Sequence, residues 1–340
     1  MEKYKTVIVG GGPGGLRCAK ILAENSENFI LLERKPRFDR KICTGIWSIT
    51  DKTKYMNLPN KLFEKKFKRV LLSTPQKTIE IKLGTSFVAT LNRKKLSNWM
   101  YKEAKKAGAN IVFNSSVSKI KKNYLIVNEK KFFFDYLVGA DGSLSIVRKN
   151  LGLITKDIGV GIQYWINKEF EDIEIHYDFD RFGPWYSWIA PHKGITSIGV
   201  GGIPRLISTK KIKENLIKWC AENDYDISDA KFEGAPINGI YQGYRFNDKF
   251  LIGDAAGFPS PLTGEGIYFA MASGEDVAKT IINKNHDPIL IKKILDIRKK
   301  HEIILNTFKL NKTLKKMEYN LLFSLLEFKF FKNMMIDLVA

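Results

Sequence analysis

The first thirty-three residues carry the pattern that most restricts the fold of this chain. An apolar run ends in VIVGGGPGG, where Gly10, Gly12 and Gly15 have the spacing G-x-G-x-x-G ahead of a helix-forming segment. A second apolar run over residues 29–33 ends in Glu33. A strand, a glycine turn, a helix, a strand and an acidic residue in this order predict a βαβ unit that binds a dinucleotide.

Each part of this pattern has a physical role. The glycines, with Gly14 in the same turn, let the backbone approach a pyrophosphate, whose charge then lies on the amides of the helix N-terminus. Glu33 at the strand end can accept hydrogen bonds from ribose hydroxyls. The pattern alone does not separate FAD from NAD, and an ordinary glycine turn is the bland alternative.

A second motif favours FAD. The stretch GADGSLSIVR, residues 139–148, resembles the D-G-x-x-S-x-x-R segment of flavoproteins with the p-hydroxybenzoate hydroxylase fold. Asp141, Gly142, Ser145 and Arg148 stand at the matching positions. We expect Asp141 to take part in cofactor binding, although as a bare turn with a nearby arginine the stretch would mean little.

The third motif is GDAAGFPSPLTGEGI, residues 253–267. Asp254 follows an apolar run and can bind a ribityl hydroxyl. Gly264 and Gly266 precede a helix that begins near Ile267, and its exposed amides carry roughly half a positive charge. Such fixed dipoles can stabilise an anionic reduced flavin, while small residues allow a flat ring to come close.

With these three motifs the chain resembles the geranylgeranyl reductase family of FAD enzymes, within the p-hydroxybenzoate hydroxylase-like superfamily. The resemblance extends from Tyr4 to about Ile282. It implies an FAD-dependent oxidoreductase acting on CH–CH groups, which saturates isolated double bonds of geranylgeranyl chains. The chain is expected to be carried by a membrane lipid precursor or a prenyl diphosphate; the residues do not choose among geranylgeranyl diphosphate, a digeranylgeranyl glycerophospholipid, a quinone side chain and a chlorophyll precursor.

The resemblance also implies a substrate site. YSWIAPHKGITSIGVG is similar to the family pattern Y-x-W-x-F-P followed by G-x-G, with Ala190 where the family usually has Phe. This departure leaves the width of the pocket and the length of the substrate open. The matching residues are Tyr186, Trp188, Pro191, Gly199 and Gly201.

Three smaller correspondences complete the cofactor site that the resemblance implies. Cys43 and Thr44, in KICTG, match a cysteine-containing loop beside the flavin. Arg93 matches an arginine that contacts the cofactor, and Val117 lies where this fold passes its backbone along the adenine. Cys43 is equally well explained as loop filler.

An isolated alkene is a poor hydride acceptor, so we expect proton donation to one carbon to accompany hydride delivery from the flavin to the other. Cys43 and Tyr186 are the candidates to orient or protonate the alkene. Residues 164–188 contain nine aromatic residues, which strand propensity explains in part; those on one face are expected to line an apolar tunnel. The reductant stays open among NAD(P)H, ferredoxin and another electron carrier.

The periodicity predicts an α/β fold. We expect a Rossmann-like FAD-binding domain, an inserted and mainly antiparallel β-sheet domain for the substrate, and a C-terminal helical tail. Local patterns predict a loop over residues 34–53, a helix over 93–107 and a strand over 136–140. The predicted domains are residues 1–57, 86–158 and 241–285 for FAD, 58–85 and 159–240 for the substrate, and 286–340 for the helical region.

Composition limits the partners. The 340 residues include 56 Lys plus Arg against 36 Asp plus Glu, a formal net charge of +20. This charge favours anionic partners such as phosphorylated substrates or acidic membranes, and a lysine-rich bias explains it equally well. The lysines are scattered in twos and threes, which argues against nucleic-acid binding.

Cys18, Cys43 and Cys220 have neither metal-ligand spacing nor an even count, so we expect no metal site and a cytoplasmic location. The first residues show no signal-peptide pattern, and no apolar run reaches the roughly 18 residues of a membrane span. The basic, apolar stretch LKKMEYNLLFSLLEFKFFKNMMIDLVA either packs on the core or lies on an anionic membrane face, as a peripheral contact.

Two rival functions remain at this point. Flavin monooxygenases and halogenases share the fold and the first three motifs, and WYSWIAP resembles the halogenase pattern W-x-W-x-I-P. A non-catalytic flavin or lipid-binding protein is the second alternative. Coupled oxygen consumption would favour the first, and the absence of any turnover would favour the second.

Overall fold

The computed structural model describes residues 2–38 and 42–307. In this part of the chain the strands are β1 (Glu2–Val9), β2 (Phe29–Leu32), β3 (Ile46–Ser48), β4 (Phe63–Phe67), β5 (Arg69–Ser73), β6 (Thr78–Lys82), β7 (Val88–Leu91), β8 (Ile111–Val112), β9 (Val117–Ile120), β10 (Tyr124–Val127), β11 (Lys130–Gly139), β12 (Gly159–Ile166), β13 (Ile173–His176), β14 (Ser187–Pro191), β15 (Thr196–Gly202), β16 (Lys231–Ile237), β17 (Arg245–Phe246) and β18 (Lys249–Leu251). The helices are α1 (Pro13–Glu24), α2 (Asp51–Lys54), α3 (Arg93–Lys106), α4 (Ile146–Asn150), α5 (Phe179–Phe182), α6 (Thr209–Glu222), α7 (Ile267–Ile282) and α8 (Ile289–Thr307).

The first sheet carries the dinucleotide pattern. Its strand order is β17-β18-β11-β1-β2-β8, and a hairpin of β9 and β10 joins through β11. β1 pairs in parallel with both β2 and β11, and its last four residues are buried because helices cover the sheet. The predicted βαβ unit is therefore present, with α1 beginning at Pro13 inside the glycine turn.

Helices α1 and α7 cross at two glycines from opposite ends of the described chain. A Cβ atom on Gly274 would lie 2.2 Å from the Gly14 carbonyl oxygen, and one on Gly14 would lie 2.8 Å from the carbonyl oxygen of Ala270. Arg17 on α1 also pairs with Glu275 on α7, Nε to Oε2 at 3.0 Å. This crossing holds the glycine fingerprint beside the helix that follows the third motif.

The second sheet has the order β16-β12-β15-β14-β13-β5-β6 and is antiparallel except between β13 and β5. Because side chains alternate along a strand, its two faces differ. One face packs on α6, with Ile162, Ile198 and Val200 against Ile212 and Leu216. The opposite face looks toward the first sheet.

A third sheet has the order β3-β7-β4, and β5 and β6 of the second sheet come between β4 and β7 along the chain. The predicted loop over residues 34–53 is wrong in its second half, which forms β3 and α2. β3 is only three residues long and pairs with β7, some forty residues later, so no local pattern announced it. This sheet draws β4 from the predicted substrate range and the other two strands from the predicted FAD ranges; the domain boundaries stay a prediction.

The predicted fold class is confirmed: a Rossmann-like α/β part, an inserted and mainly antiparallel sheet, and helices at the C-terminal end of the described chain. Helix α8 packs against α7, and the Arg298 guanidinium on α8 donates to the carbonyls of Phe258 and Gly239. Residues 308–340, which hold the basic and apolar stretch, lie outside the described residues. Within 2–38 and 42–307, helices with the length and apolarity of a membrane span are absent.

Candidate functional site

A cavity of about 280 Å³ lies between the first and second sheets. One water molecule needs about 10–15 Å³ of such space, so the cavity can admit a ring or a long chain. Its wall on the side of the first sheet includes Pro13, Arg93, Asp254, Pro259, Thr263, Gly264, Glu265, Gly266, Ile267 and Ala270. Its wall on the second sheet includes Val70, Leu72, Ile81, Gly161, Gln163, Ile173, Ile175, Tyr177, Trp185, Tyr186, Trp188 and Gly201.

The second and third motifs are bonded to each other at the cofactor end. Arg148 is buried, and its Nη2 donates to the Ser143 carbonyl at 2.7 Å while its Nη1 donates to the Ala255 carbonyl at 3.3 Å. The Ser143 hydroxyl in turn hydrogen-bonds the Asp254 carboxylate at 2.9 Å. The arginine of the second motif therefore fixes the position of the loop that carries Asp254.

Asp141 acts inside its own motif. Its carboxylate accepts from the Ser145 hydroxyl at 2.6 Å and from the Ile146 amide at 2.7 Å, at the start of α4. Burial raises the pKa of Asp141, and these hydrogen bonds oppose the shift. The structure thus shows Asp141 bonded to the first turn of α4, whose N-cap is Ser145; its predicted contact with the cofactor stays a prediction.

Of the glycine turn over residues 10–15, Pro13 is the residue that lines the cavity. The Glu33 carboxylate accepts from the amides of Gly11 at 2.7 Å and Lys35 at 2.9 Å, so it is held at the end of β2. The Ser115 amide donates to the Glu33 carbonyl at 2.9 Å, which brings the segment leading to Val117 beside this end. The spot beside Gly12 is open, because a Cβ there would meet only the Ala140 oxygen at 3.9 Å.

Arg93 provides the test of whether these residues fit FAD. Its side chain is 4% exposed and lines the cavity, yet among the described residues its Nε and Nη1 atoms have no hydrogen-bond partner. A guanidinium stays charged, and leaving it buried without a partner is costly. An electron-rich group of a bound cofactor would satisfy both atoms, and Pro13, the first residue of the helix after the dinucleotide fingerprint, lines the same cavity. The residues present therefore fit FAD.

The substrate motif reaches the third motif directly. The Trp185 indole donates to the Pro261 carbonyl at 3.0 Å, and the Tyr186 hydroxyl donates to the Thr263 carbonyl. Burial raises the pKa of Tyr186 well above its ordinary value. The Trp188 indole instead donates to the Ser197 hydroxyl at 3.0 Å.

Two glycines of the substrate motif make room for these indoles. A Cβ on Gly199 would lie 2.3 Å from Cζ2 of Trp188, and one on Gly201 would lie 2.4 Å from Cε3 of Trp185. The rings therefore lie flat on the sheet. Gly199 and Pro191 do not line the cavity, and the Pro191 carbonyl accepts from the Thr90 hydroxyl at 2.9 Å.

Cys43 and Thr44 line the cavity at its edge. The Thr44 hydroxyl donates to the Gln163 side-chain oxygen at 3.0 Å, and the Thr44 carbonyl contacts His192 Nε2 at 2.8 Å. Cys43 Sγ accepts from the Gly45 amide at 3.4 Å. The loop before β3 is thus fastened to the second sheet, with the thiol at the cavity wall.

Of the nine aromatic residues over residues 164–188, of which those on one face were predicted to line the tunnel, four line the cavity: Tyr177, Trp185, Tyr186 and Trp188. The others lie elsewhere; Tyr164 and Phe182, for example, belong to the core against α6. Sequence reasoning missed Gln163 and Glu265. Glu265 stands inside the quoted GEGI stretch, where a carboxylate in an otherwise apolar loop was the available signal.

The sequence profile of the FAD binding domain family matches residues 44–284. The chain belongs to the FAD binding domain family. It is 24% identical to the chloroplastic geranylgeranyl diphosphate reductase of Arabidopsis thaliana, over 87% of this chain and 68% of that protein. The predicted relation to the geranylgeranyl reductases, within the p-hydroxybenzoate hydroxylase-like superfamily, is confirmed, as is the prediction of an FAD-dependent oxidoreductase.

Two solved structures have a fold similar to that of this FAD binding domain protein. A geranylgeranyl bacteriochlorophyll reductase-like protein of Thermoplasma acidophilum superposes with a TM-score of 0.77 at 21% identity, covering 93% of this chain and 90% of that one. A flavin-dependent brominase superposes with a TM-score of 0.74 at 16% identity, covering 99% and 93%. At these identities the likeness concerns the fold alone.

Proposed function

We propose that this protein is an FAD-dependent reductase that saturates isolated double bonds of geranylgeranyl chains, carried by a membrane lipid precursor or a prenyl diphosphate. One observation carries the proposal: a single cavity runs from the loop of the third motif to a wall of aliphatic and aromatic side chains. Branched side chains from neighbouring strands form much of that wall: Val70, Leu72, Ile81, Ile173 and Ile175. Such a wall suits a branched hydrocarbon chain.

The residues of this chain have distinct tasks in that reaction. Reduced FAD, when bound, supplies a hydride. Arg93, Asp254 and the amides at the start of α7 hold and orient the cofactor, while Gly10, Gly12, Gly15, Glu33 and Val117 receive its adenosine diphosphate half. The indoles of Trp185 and Trp188 exclude water from the cavity, which protects a cation-like alkene from addition of water. Cys43 and Tyr186 lie where they can orient the alkene.

The relatives support this proposal at the level of the enzyme class. The plant protein in the comparison is described as a geranylgeranyl diphosphate reductase, and it matches most of this chain. The substrate wall includes Trp188 and Tyr186, the residues on which the resemblance to this family's substrate site rests. Ala190, where the family usually has Phe, is fully buried on β14 and does not line the cavity. It lies on the same face of the strand as Trp188, so the width of the pocket at this point depends on the residue at position 190.

Anaerobic turnover tests the proposal. The FAD-loaded protein, reduced with dithionite, is mixed with geranylgeranyl diphosphate or with a digeranylgeranyl glycerophospholipid, and the products are weighed by mass spectrometry. We expect products heavier by two hydrogen atoms per reduced bond. The proposal would be overturned if neither substrate were reduced.

The brominase-like fold gives the rival function its support. A monooxygenase or halogenase would consume oxygen in step with a modified substrate, and a non-catalytic flavin or lipid-binding protein would show no turnover. Oxygen uptake measured beside the anaerobic assay separates the three. We favour the reductase because the cavity wall is suited to a hydrocarbon chain.

The electron donor and the membrane contact are further parts of the proposal. We propose a cytoplasmic protein that meets its lipid substrate at the membrane face and receives electrons from NAD(P)H, ferredoxin or another carrier. Stopped-flow reduction of the bound flavin by each donor identifies the source. Vesicle sedimentation of the full chain and of a chain ending at Lys309 tests the contact; equal binding would exclude a role for the last residues.

A further inference from the structure

Glu265 stands on a wall shared by two cavities. It lines the main cavity described above and also a second, smaller one of about 30 Å³. Ser48 lines both cavities as well, and its hydroxyl donates to Glu265 Oε1 at 3.2 Å. The Ser48–Glu265 pair therefore faces the substrate space on one side and a separate space on the other.

The surroundings of Glu265 favour a carboxyl that exchanges its proton. Burial raises the pKa of Glu265 to about 7, and the hydrogen bond from Ser48 acts in the opposite direction. The titratable and charged groups around it come from several elements, and those that share its two cavities are Cys43, Arg93, Tyr177, Tyr186, Asp254, Tyr268 and His301. A donor with a pKa near the working pH is the kind that general acid catalysis requires.

The small cavity offers a way to restore the proton. Its volume is enough for about two water molecules at 10–15 Å³ each. Its walls include the polar side chains of Ser48, Thr53 and His301. His301 on α8 is buried, and its Nδ1 lies 2.8 Å from the Ser260 hydroxyl. Polar side chains on the walls give such waters the partners that they need.

Tyr186, which shares the main cavity, is poorly arranged for this task. Its hydroxyl proton is already donated to the Thr263 carbonyl. The carboxyl of Glu265 has one oxygen bonded to Ser48, and within the described residues a protein donor to its other oxygen is absent. Glu265 therefore has an oxygen that can carry a proton toward the main cavity.

We propose that Glu265 is the catalytic acid that protonates the alkene, and that the small cavity returns the proton to it after each turnover. The inference rests on the proposed function. In the step, the π bond of the alkene breaks. One carbon gains a hydride, and with it two electrons, from the reduced cofactor; the other gains the proton of the Glu265 carboxyl. The alkene is reduced, the cofactor is oxidised and Glu265 is left as a carboxylate, which regains a proton from water.

The test compares Glu265→Gln with the wild type, both loaded with FAD and reduced by dithionite, using geranylgeranyl diphosphate as the probe. We expect E265Q to lose at least about 100-fold in single-turnover rate, the usual size of a lost general acid. FAD affinity, measured by quenching of flavin fluorescence, should stay within about threefold, because Gln fills the same space. Glu222→Gln, on the far face of the second sheet, is the matched control and should keep the wild-type rate.

A second readout does not depend on turnover. Infrared difference spectra of the FAD-loaded wild type should show a protonated carboxyl that titrates near pH 7, and E265Q should lack it. Glu265→Asp keeps an acid and should recover part of the rate; it replaces E265Q if that variant does not hold FAD. Equal rates in E265Q and the wild type, or an unchanged carboxyl band in E265Q, would overturn the acid role alone. A wild type that reduces no isoprenoid would overturn the proposed function and this role together.

Discussion

The hydroxyl of Tyr186 donates to the backbone carbonyl of Thr263, which joins the segment leading into β14 to the loop before α7. Trp185 makes a parallel bond to Pro261 at 3.0 Å. The loop expected to lie against the flavin is therefore held by the same segment that lines the substrate cavity. These two bonds therefore connect the proposed substrate site to the proposed cofactor site.

Tyr186→Phe should loosen this connection. A lost hydrogen bond contributes about 0.5–1.5 kcal/mol, so we expect FAD affinity to weaken by roughly three- to tenfold, with a similar loss of turnover. Fluorescence titration of FAD measures the first and the anaerobic assay the second. Tyr225→Phe, which removes a hydroxyl near α6 and far from the loop, is the control. An unchanged FAD affinity in Y186F would mean that the bond does not position the loop.

Arg93→Met should have opposite effects on the two forms of the protein. Without FAD, the variant removes a buried charge whose Nε and Nη1 have no hydrogen-bond partner within residues 2–38 and 42–307, so its stability should equal or exceed that of the wild type. With FAD, it lacks a charge-assisted contact, and affinity should fall on the order of tenfold to 100-fold. Thermal unfolding with and without FAD measures both. A variant destabilised equally in both forms would show that Arg93 serves the fold and not the cofactor.

Gly199→Ala should disturb the cavity without touching it. The added methyl would lie 2.3 Å from the Trp188 ring and 2.5 Å from the Ile162 carbonyl, so the indole must tilt away from the sheet. Overpacking of this kind costs about 1–3 kcal/mol, and turnover should fall with it. Gly84→Ala is the control, since nothing lies within 4 Å of the added atom. The result would contradict the packing argument if both variants unfolded at the same denaturant concentration as the wild type.

The pH dependence of stability should reveal Glu265. Its pKa is raised from 4.5 to about 7 on folding, so the folded state holds the proton more tightly than the unfolded chain. Between these values a rise in pH ionises the unfolded chain first, and the free energy of unfolding falls. Relative to E265Q, the free energy of unfolding of the wild type should fall by up to about 3 kcal/mol between pH 4.5 and 7. Because the side chain is partly exposed, solvent screening should make the fall smaller than this limit. Denaturant titrations across this range measure it, and parallel curves for both proteins would refute the shift.

Local order was predictable, and distant pairing was not. The glycine fingerprint, Glu33 and the start of α7 follow from short patterns that the backbone must obey. β3 escaped prediction because a three-residue strand has no periodicity of its own and exists only through β7. The predicted strand over 136–140 is the end of the longer β11. The first half of β11 pairs with β10 in a hairpin, which was not predicted because this half begins with the charged residues 130–131.

The site divides in the same way. Arg93, Asp254, Tyr186 and Trp188 were predicted from motifs, and the structure brings them to one cavity. Arg148 and Gly199 also belong to motifs, but their roles could not be predicted. Arg148 hydrogen-bonds the loop that carries Asp254, and Gly199 leaves space for the Trp188 ring, and both roles depend on residues distant in sequence. Glu265 was overlooked because its neighbours in sequence are glycines, while its neighbours in space are Ser48 and a second cavity.

The crossing of α1 and α7 limits how early the nucleotide fingerprint can be fully packed during synthesis. Gly14 and Gly274 press backbone to backbone, but 259 residues separate them. A ribosome must therefore translate nearly the whole described chain before the nucleotide fingerprint gains its supporting helix. Until then the apolar surface of the nascent N-terminal segment stays exposed. We therefore expect FAD shortage or slow translation to lower the yield of this protein more than that of a protein whose nucleotide fingerprint is packed early in synthesis.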